Sequence, residues 1–138
     1  MTNTVNHWID NKEVSSTSGR TAPVYDPALG VETKRVALAN AAEINTAIAS
    51  AKKAFPSWSK TSLAGRQQII FKFRELLNAK KGELAEIITS EHGKVLSDAL
   101  GEITRGQEVV EFAVGMPQLI KGYYSENVST GVDVYSTR

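Results

Sequence analysis

The chain has 138 residues, 41% of them hydrophobic, with 16 Lys and Arg against 15 Asp and Glu for a net charge of +1. That length and balance fit one soluble domain able to bury a core. No basic stripe is present to hold a phosphate backbone and no apolar run approaches a membrane span, so neither nucleic acid nor a membrane is an expected partner. The complete absence of cysteine rules out a disulfide scaffold and thiolate metal sites within these residues. The opening Met1-Thr2-Asn3-Thr4-Val5-Asn6 has neither the charge-then-apolar order of a secretory signal nor the arginines of a transit peptide, so a cytoplasmic protein is expected. The sequon Asn127-Val128-Ser129 then reads as incidental.

Residues 7–36 read as strands and turns. His7-Trp8-Ile9 leads through Asp10-Asn11-Lys12 to Glu13-Val14, a short hairpin. Pro23-Val24-Tyr25 reads as a strand, Asp26-Pro27-Ala28-Leu29-Gly30 as a turn, and Val31 to Leu38 as a returning strand. Asn40 and Glu43 then form a capping box: Asn40 accepts from the first turn, and Glu43 reaches back to the Asn40 N–H. Ile44, Ala47, Ile48, Ala51 and Phe55 follow at helical spacing, and Pro56 is expected to end that helix. Ser62 caps a second helix with an apolar face of Ile69, Ile70, Phe73, Leu76 and Leu77. After a break near Lys81-Gly82, a third helix carries Leu84, Ile87 and Ile88 and stops at Gly93.

The fourth helix, about Ser97 to Gly115, has two apolar faces. Leu96, Ala99, Leu100, Ile103, Val110 and Val114 form one, and Arg105, Val109 and Phe112 lie nearly opposite at i, i+4 and i+7. Such a helix is expected to have protein or ligand on both sides. Gly101 and Gly106 in its interior suggest close backbone packing, since each costs about 1 kcal/mol relative to alanine. From Tyr123 onward the pattern turns β-like, and Val132, Val134 and Ser136 alternate with Asp133, Tyr135 and Thr137 in a strand that ends the chain without an evident partner.

Few residues carry chemistry. His92 lacks a neighbouring histidine and reads as a polar residue at a helix C-terminus, and His7 reads as a surface strand residue. Asp98, Glu102, Glu108 and Glu111 read as a solvated, ion-paired helix face, with Glu102 and Glu108 each three residues from Arg105. Arg105 has two readings: a salt bridge to one of those acids, or a planar cation that grips a small carboxylate beside Val109 and Phe112. No G-x-G-x-x-G is present, so no dinucleotide fingerprint appears.

Several segments, in their order and spacing, resemble the aldehyde dehydrogenase superfamily. They are Trp8-Ile9-Asp10-Asn11-Lys12, Pro23-Val24-Tyr25-Asp26-Pro27-Ala28, Ala54-Phe55-Pro56-Ser57-Trp58 and Glu91-His92-Gly93-Lys94. Gly101-Glu102-Ile103-Thr104-Arg105-Gly106, Val109-Val110-Glu111-Phe112-Ala113, Lys121-Gly122-Tyr123-Tyr124-Ser125-Glu126 and Gly131-Val132-Asp133-Val134-Tyr135-Ser136 are similar to its methylmalonate-semialdehyde branch. The resemblance implies an α/β fold. Residues 1–122 would be the N-terminal part of an NAD-binding domain, with short hairpins and about four helices, and residues 123–138 the start of a β oligomerisation arm. It implies a parent enzyme that oxidises methylmalonate or malonate semialdehyde with NAD through a cysteine thiohemiacetal and thioester, and passes the acyl group to coenzyme A.

The pathway context implied is valine or inositol breakdown, and the enzyme is expected to be a homo-oligomer, a dimer or tetramer. The nucleophilic cysteine, the general-base glutamate and most NAD contacts fall beyond Arg138 in that family. No catalytic, cofactor-binding or metal-binding residue is therefore carried over, and the segment is expected to be inactive alone and to bind neither NAD nor coenzyme A. Arg105 and Phe112 are the substrate-binding candidates, because the helix that holds them borders the family's substrate tunnel. Two alternatives stay open: a non-catalytic interaction module, and part of a dehydrogenase for another semialdehyde.

Overall fold

A computed structural model describes residues Asn3–Arg138. They form two compact units: residues up to Thr61 with Gly82–Gly101, and Ser62–Lys81 with Glu102–Arg138.

In the first unit, β1 (Asn3–Val5), β5 (Val31–Ala37) and β4 (Thr21–Asp26) make a three-stranded sheet in the order β1-β5-β4. β1 runs parallel to β5, with Thr4 opposite Arg35, and β4 runs antiparallel, with a bulge between Val24 and Tyr25. The sequence pattern did not indicate β1, which is only three residues long. The expected hairpin is present: β2 (His7–Ile9) pairs β3 (Lys12–Val14) through Asp10 and Asn11, both at positive φ. These residue types tolerate the left-handed region that a tight two-residue turn requires.

Helix α1 (Ala41–Lys60) begins at the expected capping box: Glu43 N–H donates to Asn40 Oδ1 at 3.0 Å and Asn40 N–H donates to Glu43 Oε2 at 2.9 Å. Its end corrects the expectation at Pro56, which lies inside the helix. Proline removes one helical N–H and leaves the carbonyl four residues earlier without its donor. Here that residue, Lys52, is exposed, so water can satisfy the carbonyl. The helix closes at Thr61, which turns to extended backbone and donates its N–H to the Trp58 carbonyl. Helix α3 (Lys81–His92) stops as expected at Gly93, whose φ of 81° few other residues adopt. A Cβ there would also meet the Pro27 ring at 2.9 Å, so the end of α3 sits tightly on the turn before β5. Lys34 adds an ion pair to Glu91 at 3.1 Å.

The second unit holds α2 (Leu63–Ala79), most of α4 (Leu96–Val114), and the short α5 (Met116–Leu119). Ser62 caps α2 by accepting from the Gly65 N–H. Pro117 lies past the end of α4, as the pattern predicts, and also occupies the first turn of α5, where no N–H is required. That one-turn helix was not foreseen. Nor is the final strand unpaired: β7 (Val132–Tyr135) runs antiparallel to β6 (Tyr124–Ser129), with an irregular register between Ser125 and Ser129. Gly131 turns the ribbon at positive φ, Asn127 takes positive φ at the irregularity within β6, and Asp133 accepts from the Asn127 N–H and the Tyr124 hydroxyl. Every residue of both strands is exposed, so the alternation seen in sequence separates no buried face from a wet one.

Apolar burial is scant. Among the described residues, the buried apolar side chains are Ala37, Ala85, Ala99 and Ile103, and no large side chain is fully enclosed. Phe55, Ile69, Phe73 and Leu76 are all at least half exposed. The chain is therefore predicted to bind a dye specific for exposed apolar surface in its native state and to self-associate as concentration rises. A sharp thermal transition with no dye signal before it would contradict this.

One residue at the base of the ribbon has no room for a side chain. A Cβ on Gly122 would overlap the Ser136 carbonyl. Tyr123 and Ser136 join there through Ser136 N–H to the Tyr123 carbonyl at 2.8 Å and Tyr123 N–H to Ser136 Oγ at 3.0 Å. Gly122→Ala is expected to speed hydrogen exchange at the Ser136 amide and leave the α1 amides unchanged. An unaltered Ser136 rate would show that the ribbon does not depend on this close approach.

Candidate functional site

The orientation of α4 about its own axis is set by polar links to α2 and its flanks. Arg74 grips Glu111 with Nη2 at 2.7 Å and Nε at 2.8 Å. Gln107, buried on the same side, donates to Glu111 at 3.1 Å. Gln67 donates to the Val114 carbonyl at 2.8 Å, and Lys81 to the Thr104 hydroxyl at 2.5 Å. Ile103 is buried on this side too. The Gln107 amide and then the Arg74 guanidinium hold the Glu111 carboxyl below its ordinary pKa.

At about 100° per residue, Arg105, Val109 and Phe112 fall within roughly 60° of one another on the face turned away from these links. Val109 is 67% exposed and Phe112 71% exposed, and Arg105 is exposed with them. The expected salt bridge is not formed: among the described residues, Arg105 makes no ion pair with Glu102, Glu108 or any other acid. Glu111, on the same helix, pairs with a cation from α2. The second face read from the sequence thus exposes Arg105, Val109 and Phe112, with the exposed acids Asp98, Glu102 and Glu108 within about 60° of Arg105 around the helix. Gly106 does not mark close packing, since a Cβ there would meet nothing within 4 Å.

The other candidates lie elsewhere. His92 is the exposed last residue of α3. His7 is not the surface residue expected: its side chain is 18% exposed, and Nε2 lies 3.6 Å from Glu43 Oε2 without a hydrogen-bond partner. It belongs to a junction that sequence spacing could not reveal. Glu43 accepts from Thr17 N–H at 2.5 Å, Thr17 Oγ1 at 3.0 Å and Ser16 Oγ at 3.0 Å, besides the Asn40 N–H. These donors, led by the Thr17 and Asn40 amides, hold its carboxyl at about 2 against an ordinary 4.5. A carboxyl depressed in the folded state stabilises fully above its unfolded pKa and loses that contribution as it protonates. Glu43→Gln should therefore flatten the loss of stability between pH 4.5 and 2 that the unaltered chain shows in urea unfolding. Parallel pH profiles for the two chains would show that the junction does not couple to folding.

Among the described residues, no group of three or more His, Cys, Asp and Glu side chains gathers to hold a metal ion, and no helix is long and apolar enough to cross a membrane. The residues present do not fit a dinucleotide. No glycine-rich turn enters a helix, and the first turns of α1 and α2 are occupied by the Asn40 and Ser62 side chains.

Comparison with known proteins gives these features their family. The chain is 40% identical over 130 residues to malonate-semialdehyde dehydrogenase of Pseudomonas aeruginosa, covering 94% of the chain and 26% of that protein. It is 38% identical over 135 residues to the human mitochondrial acylating methylmalonate-semialdehyde/malonate-semialdehyde dehydrogenase, covering 98% of the chain and 25% of that enzyme. The fold superposes with a TM-score of 0.90 and 43% identity on a protein of Sinorhizobium meliloti 1021 assigned as a methylmalonate-semialdehyde dehydrogenase and solved with NAD, covering 98% of this chain and 28% of that one. The chain spans about a quarter of the length of the relatives it matches. Its mixed α/β structure corresponds to the N-terminal portion of their fold. With residues 14–138 matching the aldehyde dehydrogenase family, the chain belongs to that family.

Proposed function

We propose that the chain forms the N-terminal part of a cytoplasmic, NAD-dependent, CoA-acylating dehydrogenase of methylmalonate or malonate semialdehyde, with Arg105 as the ligand of the substrate carboxylate and Phe112 beside it. The observation that carries this reading is the unpaired guanidinium of Arg105 on a helix face that also exposes Val109 and Phe112. Both substrates named for the relatives bear a carboxylate, which a planar guanidinium holds with two parallel hydrogen bonds. The links from Gln67, Arg74 and Lys81 keep α4 from rolling, so the face is presented in one orientation.

NAD would accept the hydride, held by residues outside this segment. The thiol that attacks the aldehyde must also come from outside, since the 138 residues contain no cysteine. On this reading the segment alone turns over nothing, residues 1–122 belong to the NAD-binding domain, and the β6–β7 ribbon begins the arm by which subunits of a dimer or tetramer join. The exposure of both strands supports that role for the ribbon, because an isolated two-stranded hairpin is marginal in water.

In a full-length dehydrogenase carrying these residues, Arg105→Ala is expected to lower kcat/KM for malonate semialdehyde roughly 10- to 100-fold, the range for losing hydrogen bonds to a charged group. Propanal, which lacks the carboxylate, should be processed unchanged. An unaltered KM for malonate semialdehyde would remove Arg105 from the substrate site.

A further inference from the structure

Glu111 lies about 120° around α4 from Arg105, on the side tied to α2 by its pair with Arg74. We infer that Glu111 is a positioning residue: it fixes the rotation of α4, and with it the place where the Arg105 guanidinium meets the substrate. This rests on Arg105 being the carboxylate ligand.

The links that reach α4 from α2 and its flank restrain its roll unequally. Gln67 donates to the main-chain carbonyl of Val114 at 2.8 Å, close to the helix axis, where a bond has little leverage. Lys81 holds the Thr104 hydroxyl through a flexible four-carbon stem, which makes a point contact. Arg74 differs in both respects. Its planar guanidinium places Nη2 at 2.7 Å and Nε at 2.8 Å from Glu111 Oε1, at the outer end of a side chain. The same oxygen accepts from Gln107 at 3.1 Å, and Gln107 is only 9% exposed. The carboxylate thus ties two successive turns of α4 to one rigid fork.

Small rotations matter on the other side of the helix. Side chains reach about 5–6 Å from a helix axis, so a roll of roughly 10° carries the end of Arg105 about 1 Å. Misplacing a positioned group by about 1 Å can cost on the order of 100-fold in rate. Among the described residues no acid holds Arg105 in place, so its position follows that of the helix. The Arg74 and Glu111 side chains are themselves 38% and 44% exposed, and pairs this wet add little stability. Removing the pair is therefore expected to loosen α4 without unfolding the chain.

The test measures kcat/KM for malonate semialdehyde and for propanal in a full-length dehydrogenase carrying these residues. Glu111→Gln keeps the shape of the side chain and removes its charge. It should lower the malonate semialdehyde value about tenfold, mostly through KM, and leave propanal within about twofold. Arg74→Gln should do the same, and the double variant should be no worse than either alone, because both act through one contact. A residue that only supported the fold would depress both substrates together. Equal losses on the two substrates, no loss on either, or additive losses in the double variant would overturn the assignment. Arg105→Ala separates this inference from the reading beneath it. If that variant leaves malonate semialdehyde unaffected, the carboxylate is held elsewhere and Glu111 has nothing to position. If it lowers the value while Glu111→Gln does not, Arg105 keeps its role and Glu111 has none in placing it.

Discussion

The segment has almost no apolar core, and that constraint governs everything else in it. Among the described residues, four buried apolar side chains, three of them alanines, give little packing to place seven strands and five helices. Charge-assisted hydrogen bonds set the geometry instead. In the first unit the Glu43 carboxylate gathers the loop at Ser16 and Thr17, the start of α1 and the edge of the β2–β3 hairpin at His7. In the second, Glu111 receives Arg74 and Gln107, with Gln67 and Lys81 on either side. Bonds of this kind are directional where apolar contact is not, so they fix rotation as well as distance.

That distinction matters most for α4. A helix held only by an apolar stripe is less strictly fixed in rotation, because apolar burial is non-directional. One held by polar links at Thr104, Gln107, Glu111 and Val114 presents its other face in one orientation. The face so presented combines Arg105 with Val109 and Phe112. It is the face proposed above to meet the substrate carboxylate.

Much of this was legible in the sequence where cause and effect lie close together along the chain. The Asn40–Glu43 capping box, the Ser62 cap, the Gly93 stop and the Asp10-Asn11 turn are all local, with spacings of four residues or fewer. The two faces of α4 follow from its periodicity in the same way. What the sequence concealed is contact across distance. Glu43 looked complete as half of a capping box, yet donors from 26 and 27 residues earlier lower its pKa further. Glu111 looked like part of a solvated face, but its cation comes from 37 residues away, and Arg105 does not pair with the acids three positions on either side. Pro56 misled for another reason. The rule against proline inside a helix is energetic, and here it yields at a turn whose residues are all exposed.

The account stands or falls on what occupies the outward face of α4. The direct measurement is a crystal structure of a full-length dehydrogenase carrying these residues, with malonate bound as an unreactive mimic of the semialdehyde. A malonate carboxylate in paired contact with the Arg105 guanidinium is the expected result. Malonate held by another cation, with Arg105 turned into an ion pair with Glu102 or Glu108, would contradict it.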